Sequence, residues 1–204
     1  MVDLLAKGGV LVIPILLCSV FALAIFLERL IRFAHFRKQG EGLARKVVGL
    51  IKQGDDAGAT EAAEQSNSPM GYVLAQALEV KNKERETLET VMVHAIEEQV
   101  RDLSSYLQAL ATIGNITPLL GLLGTVIGMI KVFNVISVQG VGQAEALSGG
   151  ISEALITTVV GLSIGIPTLV FYNYFTDKAE DIILDIEKFS NDLVHRIGLF
   201  KNSD

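Results

Sequence analysis

Three long stretches of the chain contain no Asp, Glu, Lys or Arg, and nearly all of the charge lies between and after them. These stretches are Gly8–Leu27, Leu103–Ile130 and Ala154–Thr176. Each reaches the roughly 20 predominantly apolar residues that a helix needs to cross a bilayer. The pattern predicts an all-α, polytopic membrane protein with three transmembrane helices.

The first stretch has to be distinguished from a cleaved signal peptide. Ala22-Leu23-Ala24 has the small-x-small form of a cleavage site, but it lies inside the apolar stretch, which continues to Leu27. A cluster of basic residues that begins with Arg29 and Arg32 follows directly. This order is typical of a stop-transfer segment, so we expect a retained helix.

The basic residues also predict the orientation, because Lys and Arg are enriched on the cytoplasmic side of membrane proteins. With the N-terminus outside, only Lys7 and Lys131 of the 17 Lys and Arg residues lie on the outer side. The predicted segments are a short outer N-terminus (1–7), transmembrane helix 1 (8–27), a cytoplasmic helical segment (28–102), transmembrane helix 2 (103–130), an outer loop (131–153), transmembrane helix 3 (154–176) and a cytoplasmic C-terminal helix (177–204).

The predicted cytoplasmic parts have helical patterns. Gly54–Gly58 indicates a turn, and Ser68 followed by Pro69 is typical of a helix cap and a first helical position. From there to the end of the second span, only Gly114–Pro118 interrupts the pattern, so we expect one helix that runs straight into the span. A similar apolar stripe continues the third span to about Ile197. Two spans would thus extend into a cytoplasmic helical stalk.

Small and hydroxyl-bearing residues recur at helical spacing in the second and third spans. Glycines four residues apart let helix backbones approach closely in lipid, and the predicted packing positions are Gly121, Gly124, Gly128, Gly161 and Gly165. Pro118 and Pro167 are predicted as structural breaks. For Thr125, Thr157 and Thr158 two interpretations stay open. Each hydroxyl bonds to a carbonyl of its own helix, or it faces a polar path inside a helix bundle.

No Asp, Glu, Lys, Arg or His lies inside the three stretches. A pump or proton relay needs an ionisable group within the membrane, and a Thr hydroxyl does not titrate near neutral pH. If this chain conducts protons, a partner must therefore supply the titrating group. The nearest carboxylate of the chain is Glu153, which either belongs to the ion path or is a helix N-terminal carboxylate favoured by the dipole, with Ser152 or Gly150 as the cap.

The composition of the chain argues against several classes of protein, including nucleic-acid binders, disulfide scaffolds and zinc proteins. The net charge of −6 offers no basic surface to nucleic acid. The single Cys, Cys18, excludes a disulfide scaffold or a zinc site of several Cys, and we interpret it as an apolar filler of the first helix. His35, His94 and His195 share no metal spacing. No phosphate loop or nucleophile elbow occurs, so we expect no metal, no cofactor and no enzyme.

Two motifs resemble those of the MotA/TolQ/ExbB proton channel family. They are Thr-Pro-Leu-Leu-Gly-Leu-Leu-Gly-Thr-Val-Ile-Gly-Met in the second span and Gly-Ile-Ser-Glu-Ala-Leu-Ile-Thr-Thr in the third, in the order and the spans that the family has. Three spans with a long cytoplasmic segment after the first are similar to the ExbB and TolQ branch, since flagellar stator members are longer and have a fourth span.

The resemblance implies a homo-pentamer in the inner membrane of Gram-negative bacteria, with the N-terminus in the periplasm and the C-terminus in the cytoplasm. The second and third spans would line a pore around the single spans of an ExbD- or TolR-like partner, whose membrane Asp carries the proton. Matching the motifs places the family's pore threonines at Thr125 and Thr158 and its glutamate at Glu153. Thr157 stands where relatives often have Ala, and Ser148-Gly149 where they often have Ala-Pro.

The function implied by the resemblance is that of a channel (stator) subunit. It would belong to a motor that is driven by the proton-motive force, acts through a TonB- or TolA-like protein across the periplasm, and energises TonB-dependent outer-membrane transport. A TolQ-like role in the Tol-Pal envelope-integrity system and a non-conducting membrane scaffold remain as alternatives. Proton and sodium coupling both stay open, because the selective carboxylate would lie on the partner.

Overall fold

The computed structural model describes residues 8–140 and 144–201, with the side chains of 37–41, 146 and 195–201 left aside. This part of the chain is helical and contains no strand, which confirms the all-α prediction. Its helices are α1 (Val12–Lys52), α2 (Asp56–Glu64), α3 (Pro69–Glu79), α4 (Arg85–Ser104), α5 (Leu107–Gln139) and α6 (Ala144–Lys201).

Within the described residues, three helical segments are long and apolar enough to cross a membrane: Val12–Phe36, Arg85–Gln139 and Leu147–Val194. Each of them overlaps one of the charge-free stretches, as the sequence predicts, and the set fits a multi-pass membrane protein. Much of the predicted outer loop is helical, because α5 ends only at Gln139 and α6 already begins at Ala144. The membrane borders and the orientation of the segments stay predictions.

The prediction of one uninterrupted helix from Pro69 into the second span is wrong. The helix stops at Glu79, resumes at Arg85 and stops again at Ser104 before α5 begins. At the second interruption Tyr106 has a φ of 60°, in the left-handed region that a residue with a Cβ rarely adopts. Because neither a glycine nor a proline marks this position, the sequence pattern does not reveal it.

The two prolines predicted as structural breaks do not end their helices. Pro118 lies inside α5 and Pro167 inside α6. A proline removes one helical hydrogen bond, but membrane helices tolerate it where neighbouring groups pack against the freed backbone. The Pro118 ring lies against Gly165 of α6, where a Cβ would come within 2.6 Å of the proline Cδ.

The chain divides into two compact units. Unit 1 consists of Met1–Leu27 and Tyr106–Tyr174, and unit 2 of Glu28–Ser105 and Phe175–Asp204. Unit 2 has a hydrophobic core to which α1, α2, α3, α4 and α6 all contribute. Its most deeply buried residues include Val47, Ala59, Val73, Leu74, Ala77, Leu88, Met92, Ile186 and Leu193.

Local signals explain the starts of the two short helices of unit 2. Asp55 caps α2, with its carboxylate accepting a hydrogen bond of 2.9 Å from the Gly58 amide. Helix α2 therefore begins inside the turn predicted over Gly54–Gly58. The Ser68 hydroxyl accepts a bond of 3.1 Å from the Gly71 amide, and Pro69 is the first residue of α3, as the sequence predicts.

A buried arginine closes the C-terminal end of α4 in unit 2. The Arg29 side chain is fully buried and donates to the Leu103 carbonyl at 3.2 Å and to the Ser105 hydroxyl at 2.6 Å. The last carbonyls of a helix have no hydrogen-bond donors within the helix. The Arg29 guanidinium supplies a donor to the Leu103 carbonyl. Arg32 forms an ion pair with Asp102 beside it. The sequence pattern shows Arg29 and Arg32 only as part of the stop-transfer cluster.

Candidate functional site: the facing stripes of α5 and α6

Helices α5 and α6 approach each other through glycine in unit 1. A Cβ at Gly161 would lie 2.7 Å from the Thr117 carbonyl oxygen and 3.0 Å from the Gly121 Cα. A Cβ at Gly121 would lie 3.1 Å from the Thr158 Cα. These distances leave no room for a side chain, so the two backbones are in direct contact.

All of the glycines predicted for helix packing are buried along this contact: Gly121, Gly124, Gly128, Gly161 and Gly165. Gly124 faces the Thr157 side chain, and a Cβ at Gly128 would come 2.7 Å from the Ala154 Cβ. Gly114, which the sequence analysis noted only as a possible interruption, belongs to the same stripe, because a Cβ there would lie 2.7 Å from the Leu169 Cγ. The stripe thus continues along both helices.

The threonines divide between the two interpretations left open by the sequence. Thr158 donates its hydroxyl to the Gly121 carbonyl of α5 at 3.0 Å, so it links the two helices. Thr125 instead donates to the Leu122 carbonyl of its own helix at 2.6 Å and remains half-buried. Among the hydrogen bonds of the described residues, none joins Thr125 to Thr158.

Thr157 is buried and has two acceptors within reach. Its hydroxyl lies 2.7 Å from the Gly8 carbonyl and 2.8 Å from the Glu153 carbonyl one turn earlier in α6. A hydroxyl has one proton and donates to one of these at a time. The bond to Gly8 joins the turn that precedes α1 to α6. The sequence pattern does not predict a contact between Thr157 and the segment before α1.

Glu153 forms an ion pair that the sequence analysis did not predict. Its Oε1 lies 2.6 Å from the Lys131 Nζ of α5, with 23% of the Glu153 side chain and 53% of the Lys131 side chain exposed. A signal was present, because Lys131 directly follows the second charge-free stretch and Glu153 directly precedes the third. Two consecutive antiparallel helices bring such positions together.

The interpretation of Glu153 as a helix N-terminal carboxylate is wrong. Helix α6 begins at Ala144, so neither Gly150 nor Ser152 is a cap and Glu153 lies beyond the second turn of the helix. The helix dipole acts on side chains within the first turn. The environment of Glu153 is therefore set by Lys131 and by the Gly8–Gly9 turn rather than by a helix terminus.

Other candidate chemistry is sparse in the described part of the chain. No group of three or more His, Cys, Asp or Glu side chains there is arranged to hold a metal ion. Cys18 is a half-buried free thiol of α1. The side chain of His195 lies outside the described residues.

Comparison with known proteins gives a family match over residues 65–188, to the MotA/TolQ/ExbB proton channel family. A protein of Synechocystis sp. named ExbB-like 3, for biopolymer transport, is 29% identical over 82% of this chain and 81% of its own. The biopolymer transport protein ExbB of Xanthomonas campestris is 31% identical over 65% of this chain and 49% of its own.

A relative with a different name matches a shorter part. The Tol-Pal system protein TolQ of Pseudomonas aeruginosa is 33% identical over 50% of this chain and 46% of its own. The chain therefore matches about half the length of the Xanthomonas and Pseudomonas relatives, and it is similar to both named groups.

Proposed function

Because the chain belongs to the MotA/TolQ/ExbB proton channel family, we propose that it is the channel subunit of an inner-membrane motor driven by the proton-motive force. The motor energises TonB-dependent transport across the outer membrane. The extent of the similarity favours this ExbB-like role, since the ExbB-like relative matches 82% of the chain and the TolQ relative 50%.

The observation that carries the proposal is the α5–α6 contact with its hydroxyl groups. Glycines bring the backbones together, and Thr158 donates across the contact to the Gly121 carbonyl. The charge-free stretches contain no Asp, Glu, Lys, Arg or His, the side chains that carry protons within membranes near neutral pH. The chain therefore supplies a path, and an ExbD- or TolR-like single-span partner supplies a membrane Asp. A TonB- or TolA-like protein then transmits the force across the periplasm.

The outer surface of unit 1 supports assembly with further helices. Large apolar side chains are exposed along α5 and α6, among them Leu119, Leu122, Val126, Phe133, Leu155, Val159, Ile166 and Val170. Such continuous apolar faces are covered by lipid or by other chains. We propose a homo-pentamer in which α5 and α6 of each copy line a central pore and the half-exposed Thr125 faces that pore. In each copy the cytoplasmic parts of the helices form a stalk.

Substitution of the two pore threonines tests the conducting role. We expect Thr125→Ala and Thr158→Ala each to abolish TonB-dependent uptake in a strain that depends on this protein, while the assembly keeps its mass by native mass spectrometry. Thr158→Ser keeps the hydroxyl and should retain uptake. Thr112→Ala is the matched control in α5, because the exposed Thr112 donates only to its own helix, at the Gln108 carbonyl.

Three results would change the proposal. Normal uptake with both alanine variants would show that the hydroxyls do not conduct. Unchanged activity after collapse of the proton gradient would favour a non-conducting scaffold. A deletion that leaves uptake intact but makes the cells sensitive to detergent would assign the TolQ-like role instead.

A further inference from the structure

Lys131 and the Gly8–Gly9 turn enclose the carboxylate of Glu153 from two sides. The Lys131 Nζ lies 2.6 Å from Glu153 Oε1. On the other side, a Cβ at Gly9 would overlap the same oxygen and come within 2.8 Å of the Glu153 Cδ. Glu153 is thus in contact with α5 and with the segment before α1, while its own backbone belongs to α6.

The Gly8–Gly9 turn is fixed in place by its own contacts. Gly9 has a φ of +71°, a left-handed conformation that a glycine adopts without strain. The Gly8 carbonyl accepts the hydroxyl of Thr157 at 2.7 Å, one turn beyond Glu153 on α6. The absence of a side chain at Gly9 leaves the space that the carboxylate occupies.

We propose that Lys131 and the Gly8–Gly9 turn are positioning residues for Glu153. They hold its carboxylate in an ion pair turned toward α5, so that it cannot accept another cation until Lys131 releases it. This inference rests on the proposed channel function and adds a control point at one end of the α5–α6 contact. Removal of the lysine therefore leaves the carboxylate without its cation and opens it to reagents that the ion pair excludes.

Carbodiimide labelling of the full chain in membranes tests the positioning directly. A carbodiimide has to reach a carboxyl oxygen, and in the unchanged chain Lys131 and the Gly8–Gly9 turn both lie against Oε1 of Glu153. We expect Lys131→Met to label Glu153 about fivefold faster than the unchanged chain, a factor that matches a partly exposed ion pair. Lys131→Arg keeps the charge and should keep the protection. Peptide mass spectrometry reads the rate at Glu153, and the exposed Glu145 of the same helix is the internal reference.

Substitutions at two glycines, Gly9 and Gly140, give a second and independent test of the positioning role. Gly9→Ala displaces the carboxylate and should also raise labelling at Glu153. Gly140→Ala is the matched control, because Gly140 has a φ of +76° but open space around its Cα. It introduces the same backbone strain without a clash and should leave the labelling unchanged.

The outcomes separate the positioning role from the channel function. Unchanged labelling of Glu153 with Lys131→Met would overturn the positioning role. Equal increases in labelling with Lys131→Met and with the two controls, Lys131→Arg and Gly140→Ala, would also overturn it, because that result indicates a loosened fold. TonB-dependent uptake should fall with Lys131→Met and be rescued by Lys131→Arg. Labelling does not depend on ion flow. If Glu153 is protected by Lys131 but the threonine variants transport normally, the channel function is refuted and the positioning role stands.

Discussion

Arg29 has a role that its sequence context conceals. In a cluster of basic residues after an apolar stretch it indicates topology, yet its guanidinium is fully buried and bonded to the end of α4. A buried cation requires partners for its charge and its donors. Here the Leu103 carbonyl, the Ser105 hydroxyl and the Glu28 carboxylate provide them. The residue therefore contributes to the stability of unit 2, in addition to the orientation that the sequence predicts from the basic cluster.

Truncation of this side chain should be costly. Arg29→Ala leaves the terminal carbonyls of α4 buried without their donor, and we expect the free energy of unfolding to fall by about 3 kcal/mol. Arg85→Ala is the control, since Arg85 is an exposed member of an i,i+4 pair with Glu89 and should change the value by less than about 0.5 kcal/mol. Denaturant unfolding of the purified full chain in detergent measures both. Equal effects would contradict the capping role.

At the scale of the elements, α5 and α6 depend on the absence of side chains at specific positions. Gly161→Ala places a methyl group 2.7 Å from the Thr117 carbonyl, which cannot move without its helix. We expect a loss of about 1–3 kcal/mol from the separation of the backbones. Gly149→Ala, in the same helix but facing open space, should instead stabilise by about 0.5–1 kcal/mol because alanine favours the helix. Thermal unfolding in detergent distinguishes the two signs.

The elements also show what the sequence could and could not predict. Periodic glycines and the lack of charge are local properties, so the helices α5 and α6 and the glycine positions along them follow from the pattern. The interruption at Tyr106 has no glycine or proline to mark it, so the pattern gives no sign of the left-handed backbone there. The Lys131–Glu153 pair needed the additional step of placing the ends of two consecutive spans side by side.

For the whole molecule, the distribution of charge carries the prediction of orientation. Unit 2 contains most of the Lys and Arg residues and has an ordinary apolar core, whereas unit 1 exposes apolar side chains on α5 and α6. The exposed apolar side chains of unit 1 are unfavourable in water. The Lys and Arg residues of unit 2 are unfavourable inside a bilayer. The two units therefore suit different solvents, which the average composition of the chain conceals.

This orientation can be tested with a single thiol. Cys18→Ala gives a chain without cysteine, into which Gln139→Cys at the exposed end of α5 or Glu84→Cys before α4 is then introduced. If the N-terminus lies outside, a membrane-impermeant maleimide labels residue 139 in cells with a permeabilised outer membrane. Residue 84 is labelled only after the inner membrane is opened, because the basic segment 28–102 is retained in the cytoplasm. The reverse pattern would invert the topology, and it would place Lys131 and Glu153 at the cytoplasmic end of the path.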